Sequence, residues 1–196
     1  MKGYLLCVEG LDGCGKTTQT GLLVRWLRSR GYRVLRTAEP TRGPVGRLIR
    51  RGLREGMPAE VEALLFAADR MAHLHRVILP ALREGRVVVS ERGPYSSLAY
   101  QCARGLEEGW IRELNRFFPR PDLTLFLDVP PEECLKRMGG KRLDLFEKDL
   151  AFQRRVRRRY LELVRKGEVE RVEGRGGVEE VQERMRERVL RLPGGE

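Results

Sequence analysis

The 196-residue sequence has little with which to build a crosslinked or metal-bound framework. Its four cysteines, Cys7, Cys14, Cys102 and Cys134, are scattered without a CxxC pair, and its two histidines, His73 and His75, have no cysteine partners. Neither a disulfide framework nor a zinc site is suggested. No apolar run approaches the roughly 18–20 residues that span a bilayer. Met1 leads into YLLCVEG with no long apolar stretch and small-residue cleavage site behind it. The expectations are therefore no membrane partner and a cytoplasmic location. Internal repeats and low-complexity segments are also missing, and lysine is scarce, with 6 residues against 33 arginines.

What is there suits a folded chain. The apolar fraction is 41%, with 22 glycines and 10 prolines, and charge-rich disorder carries fewer apolar residues than this. The length fits one domain over residues 1–196, with room for a small mobile insert. The formal net charge is +11, divided as +8 over residues 1–98 and +3 over residues 99–196. Such a basic excess points to a polyanionic partner, either nucleic acid or a nucleotide phosphate. Composition does not choose between them.

Along the chain, short apolar runs alternate with amphipathic stretches. Strands are predicted over residues 4–9, 33–37, 86–90, 122–129 and 169–173. Helical patterns run from Lys16 to Arg30, from Pro58 to about Glu84 with a break or bend before Pro80, through 94–118 as one or two helices, and over 131–138. Helix resumes by about Leu145 and runs to Lys166, and a last helix spans 178–190, while residues 43–56 read as a basic segment. The run RVVVS at 86–90 is of the kind buried on both faces of a parallel sheet. Strands separated by helices specify an α/β fold.

The sharpest motif is Gly10-Leu11-Asp12-Gly13-Cys14-Gly15-Lys16-Thr17, which satisfies GxxxxGK[ST] between a predicted strand and a predicted helix, with Thr18 following. Glycines there let successive backbone N–H groups turn onto a phosphate, and the helix N-terminus adds partial positive charge. Lys16 would reach the β- and γ-phosphates, and Thr17 would offer its hydroxyl to Mg²⁺. In open α/β sheets a second substrate belongs at the carboxyl ends of the strands. Ala38-Glu39-Pro40 follows the second predicted strand, and Glu91-Arg92 follows the third, with Ser96, Ser97, Tyr100 and Gln101 beyond it. Glu91 can hold Mg²⁺ or its water and Arg92 can bind a phosphate. A plain strand-end salt bridge is the bland alternative.

GLDGCGKTTQ, TAEP, LLFAADR, SERGPYSSLAYQ and RPDLTLFLDVPPEECLKR, in this order over about residues 3–185, resemble the bacterial thymidylate kinases. That resemblance implies a P-loop nucleotide kinase with a three-layer fold around a five-stranded parallel sheet, a lid at about 137–149, a homodimer, and transfer of the ATP γ-phosphoryl group to dTMP with Mg²⁺. It also implies residue roles. Phe66 would stack on thymine and Arg70 would donate to a thymine carbonyl, although on pattern alone Phe66 belongs to an apolar core series. Ser97 and Gln101 would reach the pyrimidine edge, Tyr100 would pack on the sugar, and Arg92 would hold the dTMP phosphate. Arg50 would contact the same nucleotide or simply join Arg47, Arg51 and Arg54 on a basic face. Asp12 and Glu39 would meet the deoxyribose hydroxyl or the metal's water shell. Arg137 and the loop at 174–177 would flank the ATP base.

Three positions depart from the family pattern. Ala38 stands where Arg is usual, Glu91 where Asp is usual, and Cys14 fills a P-loop slot that some members give to a catalytic arginine. The resemblance then assigns that arginine to the lid, with Arg142 as candidate and Lys141 and Arg137 as understudies. Other readings are a kinase of a different nucleotide or deoxynucleoside, and a nucleic-acid-binding P-loop ATPase using RRVRRR at 154–159. In that last segment Phe152, Val156, Tyr160, Leu163 and Val164 share one helical face, and Arg154, Arg155, Arg158 and Arg159 lie largely elsewhere. That argues for a solvated helix face and against a nucleic-acid partner. The arginines beyond the phosphate-binding motifs read as a surface style suited to ion-pair networks at high temperature.

Overall fold

A computed structural model describes residues 3–139 and 149–192. Five strands, β1 (Tyr4–Gly10), β2 (Val34–Ala38), β3 (Val87–Glu91), β4 (Leu123–Asp128) and β5 (Glu170–Glu173), form one sheet in the order β2-β3-β1-β4-β5. Every pairing is parallel, with Val8 opposite Glu91 on one side of β1 and opposite Leu125 on the other. The three inner strands are apolar on both faces, as burial between helical layers requires. Side chains alternate across the sheet. Leu5, Cys7 and Val88 join Leu74, Ile78 and Phe118 in one cluster, while Leu6, Val8, Val87 and Val89 enter a larger one. All four cysteines are free and buried.

The helices are α1 (Lys16–Ser29), α2 (Pro44–Glu55), α3 (Ala59–His73), α4 (Leu79–Arg83), α5 (Pro94–Ala103), α6 (Glu108–Leu114), α7 (Pro131–Met138), α8 (Leu150–Arg165) and α9 (Val178–Val189). The basic segment at 43–56 is thus a helix. Pro44 opens it, Gly56 closes it with φ 86°, and Gly46, Ile49 and Gly52 form its buried face. Gly46 is required because a Cβ there would lie 1.9 Å from the Thr41 carbonyl oxygen. The break expected before Pro80 takes another form: a π-helical turn, Leu74–Ile78, joins α3 to α4, and Leu79 N–H bonds to the Leu74 carbonyl. The wider turn accommodates a proline that has no N–H and would clash with the carbonyl four residues back. The 94–118 region resolves into two helices, and among the described residues no helix is long and apolar enough to cross a membrane.

One buried acid ties α5 and α8 to the end of β1. Glu9 is fully buried; its Oε2 accepts from Ser96 Oγ at 2.5 Å and Tyr160 OH at 2.9 Å, and its Oε1 from the Ser96 amide at 3.2 Å. The Tyr160 ring stacks on Phe126 of β4 with centroids 4.6 Å apart. Burial raises the Glu9 pKa despite these donors. The folded chain therefore keeps a proton there that the unfolded chain releases, and stability falls as pH climbs above the ordinary glutamate pKa of about 4.3, levelling off above the raised value. Glu9→Gln is expected to remove this slope. Denaturant unfolding of both proteins between about pH 4 and pH 8 checks it, and parallel stability curves would contradict it.

Candidate active site

β1 runs directly into the glycine-rich loop, and α1 starts at Lys16. Gly15, just before the helix, has φ 100°, and Gly13 has φ 82° with its Cα so close to α7 that a Cβ would lie 2.4 Å from the Cys134 carbonyl oxygen. Both positions need glycine. The Lys16 ammonium is folded over the loop, donating to the carbonyls of Gly10 at 3.0 Å and Leu11 at 2.7 Å, and lies 3.4 Å from Asp12 Oδ1. Thr17 Oγ1 donates to Glu91 Oε1 at 2.7 Å. Asp12 through Gln19, Glu91 and Arg137 line a groove of about 580 Å³ that extends to Gly174, Gly176 and Val178. Arg137 donates to the carbonyls of Cys14 and Gly174 at 3.3 Å, which joins the P-loop to the loop before α9.

Arg92 crosses from the end of β3 to this loop. It is the single non-glycine residue with positive φ (74°) among the described residues, and its amide donates to Val8 at 2.9 Å. That backbone turn directs the guanidinium to Asp12 Oδ1 at 2.6 Å and Ser96 Oγ at 3.2 Å, above the Tyr100 ring at 4.9 Å. Burial alone would raise the Asp12 pKa, but Arg92 and Lys16 outweigh it and hold the carboxyl well below its usual range. Burial pushes the Tyr100 phenol up, so its hydroxyl stays protonated at neutral pH.

Beyond Arg92 lies a second cavity of about 390 Å³, a volume typical of small-molecule sites. Asp12, Arg50, Phe66, Arg92, Ser97, Tyr100 and Gln101, all singled out from the sequence, line it. Asp12 borders both cavities. Glu39 and Arg70 do not line the second one. Arg70 is 1% exposed and donates to Glu39 Oε2 at 2.7 Å, Ser97 Oγ at 2.9 Å, Asn115 Oδ1 at 2.5 Å and the Gly93 carbonyl at 3.0 Å. Glu39 also meets His73 Nδ1 at 3.1 Å, and His73 Nε2 lies 2.6 Å from Thr37 Oγ1. Burial would raise the Glu39 pKa, but Arg70 and the His73 hydrogen bond lower it. The pair forms a charged back wall that reaches the cavity through Ser97. Arg50 lines the cavity while donating to the carbonyls of Pro40, Thr41 and Gly46, so it braces the loop before α2.

The sequence reading missed Leu53, Glu62, Phe152 and Gln153 on this wall, and gave no role of its own to Ser96, which also lines it. Phe152 was assigned to the packing face of α8, and it does lie 6.3 Å from the Tyr100 ring. The available signal for Glu62 was an acid set among apolar residues one helical turn before Phe66. Arg142 and Lys141 lie outside the described residues, as does most of the expected lid. Thr17 and Glu91 offer hard oxygen donors that suit a magnesium ion carrying water and phosphate ligands. Among the described residues no group of three or more His, Cys, Asp or Glu side chains is placed to cage a metal.

A family model described as thymidylate kinase matches residues 8–185. The chain is 50% identical over 171 residues to a probable thymidylate kinase of Pyrococcus horikoshii, covering 83% of each chain. It is 48% identical over 172 residues to one of Thermococcus gammatolerans, covering 82% of this chain and 83% of the relative. With one of Pyrococcus abyssi it shares 47% over 192 residues, covering 93% and 94%. These relatives are archaeal, so the bacterial affiliation suggested by the sequence resemblance finds no support in them. A match that runs through the P-loop, both cavity walls and the last helix places the chain in the thymidylate kinase family.

Proposed function

We propose that the protein transfers the γ-phosphoryl group of ATP to dTMP, giving dTDP and ADP for dTTP synthesis. The observation that carries this reading is the meeting of two cavities at Asp12, which Arg92 of the second cavity holds, one cavity built on a P-loop and the other walled by aromatic and amide side chains. ATP would lie in the groove with its phosphates on the loop amides and Lys16, and its base between Arg137 and the loop at 174–177. dTMP would enter the second cavity with its phosphate on Arg92, its ring on Phe66, its sugar against Tyr100 and its base edge toward Ser97 and Gln101. Arg50 would brace the loop beside the nucleotide, and Arg70 and Glu39 would support Ser97 from behind.

An oxygen of the dTMP phosphate then attacks the γ-phosphorus in line. At neutral pH that phosphate is largely ionised, so the chain need supply no general base. Lys16, the loop amides and Arg92 position both nucleotides and stabilise the charge that spreads over the transferring group. Mg²⁺, held by Thr17 and Glu91, would neutralise charge on the β- and γ-phosphates when bound with ATP. Arg142 is the candidate for a further cation brought by a lid at about 137–149, which would close the site to water. We read residues 1–196 as one P-loop kinase domain with a cytoplasmic location. Val61, Leu64 and Ala68 form an exposed apolar stripe on α3, and Leu48 is exposed on α2, which packs against it; this favours a homodimer.

The arginine-rich stretch of α8 gives the nucleic-acid reading little support. Arg154 pairs with Glu132, Arg157 with Asp128 and Arg159 with Glu162, and Arg155 lies over the Phe152 ring. A coupled ADP-release assay with ATP, Mg²⁺ and a panel of deoxy- and ribonucleoside monophosphates is expected to show dTMP best by a wide margin and dUMP weaker. Equal rates across the panel, or turnover of purine monophosphates alone, would refute the proposal. Arg92→Met is expected to lower kcat/KM for dTMP by about 10²-fold or more while leaving ATP binding within a few-fold. Steady-state kinetics with ATP affinity measured by titration checks this, and equal losses for the two nucleotides would remove Arg92 from the acceptor side.

A further inference from the structure

One side-chain amide on the cavity wall has its orientation set from behind. Gln101 is 2% exposed, its Nε2 donates to Glu62 Oε1 at 2.9 Å, and its Oε1 is buried without a hydrogen-bond partner. Glu62 is 3% exposed, and its second oxygen accepts from Arg104, which also donates to the Met57 carbonyl at 2.8 Å. A carboxylate facing a guanidinium only accepts hydrogen bonds. The Gln101 amide can therefore meet Glu62 only through its NH₂ group, and its oxygen is what remains to offer the cavity that both residues line. One helical turn earlier, Ser97 Oγ accepts from Arg70, so its hydroxyl proton is what it can give.

We infer that Glu62 is a positioning residue that sets base specificity. Backed by Arg104, it locks the Gln101 amide so that α5 presents a donor at Ser97 and an acceptor at Gln101. The inference rests on the dTMP reading above. A base edge with a carbonyl beside a ring N–H, as in thymine, satisfies this pair. Cytosine, with an amino group beside a bare ring nitrogen, opposes a donor to a donor and an acceptor to an acceptor. An unanchored glutamine could rotate its amide by half a turn and lose the distinction. Glu62 prevents that rotation, and the buried, unpartnered oxygen stays committed to a donor on the ligand.

The test is kcat and KM for dTMP and dCMP in the full chain carrying Glu62→Gln, Gln101→Glu, or both. Glu62→Gln is expected to reduce the dTMP-to-dCMP ratio of kcat/KM by about ten-fold or more, chiefly through the KM for dTMP, with the KM for ATP unchanged. Gln101→Glu sets two carboxylates together and is expected to lose dTMP use. The double substitution again pairs an amide with a carboxylate and leaves an acceptor toward the base, so most of the ratio should return. An unchanged ratio in Glu62→Gln, or equal loss for both substrates without recovery in the double variant, would overturn the inference. Should Glu62→Gln fail to fold, NMR on the wild-type protein decides. Adding dTMP should shift the Gln101 side-chain carbonyl carbon and leave its amide protons, assigned by their absence in Gln101→Leu, nearly in place; the reverse would overturn the inference. Wild-type protein inactive on dTMP would instead remove the kinase reading on which it rests.

Discussion

The contact between Asp12 and Arg92 joins the two halves of the site. Asp12 belongs to the loop after β1 and Arg92 to the turn after β3, neighbouring strands whose carboxyl ends diverge into different helices. Their 2.6 Å pair fixes how far the P-loop stands from the second cavity. The left-handed backbone at Arg92 is part of the same constraint, because an extended residue there would carry the guanidinium away from Asp12. Such a conformation costs on the order of 1–3 kcal/mol for a side-chain-bearing residue. The ion pair and the hydrogen bond from Arg92 to Val8 offset it.

A second layer of charge makes the cavity wall rigid. Arg70 donates to Glu39, Ser97, Asn115 and Gly93, and Glu39 holds His73, so the residues just after β2 and α6 are tied to α3 and α5 through one fully buried guanidinium. A planar fork with five donors can make these bonds at once, which an ammonium on a flexible stem cannot. Several of the arginines that dominate the basic composition thus act as internal braces: Arg50 on the loop before α2, Arg70 behind Ser97, Arg104 behind Glu62 and Arg157 on the buried Asp128. Part of the arginine content is thus structural, although the net charge of +11, which already counts the acidic partners, is unchanged by these contacts.

Much of this was legible in the amino-acid order. The three inner strands could be read because residues buried on both faces form nearly unbroken apolar runs, and the P-loop because its glycines take positive φ values that side-chain-bearing residues rarely adopt. Helix α2 was missed because its buried face consists of two glycines and one isoleucine, too little apolar surface to outweigh its arginines. The Phe66 to Arg70 spacing put both residues on one face, yet α3 buries Arg70 and leaves Phe66 at the cavity, a difference of depth that periodicity does not encode. Glu62 and Phe152 were hidden for a related reason. Each matters through a partner distant in sequence, Gln101 for the one and Tyr100 for the other.

Asp12 borders both cavities and pairs with Lys16 as well as Arg92. It is therefore a charge shared by the two cavities. A polyphosphate that draws Lys16 away leaves Arg92 as the main counter-charge of Asp12, and a phosphate that draws Arg92 away does the same for Lys16. Under the proposed reaction, each nucleotide would then alter the electrostatic state that the other encounters. Thermodynamic linkage requires the two effects to be equal in free energy, whichever nucleotide arrives first. In that reaction Asp12 is thus one point through which filling of the groove and filling of the second cavity are coupled.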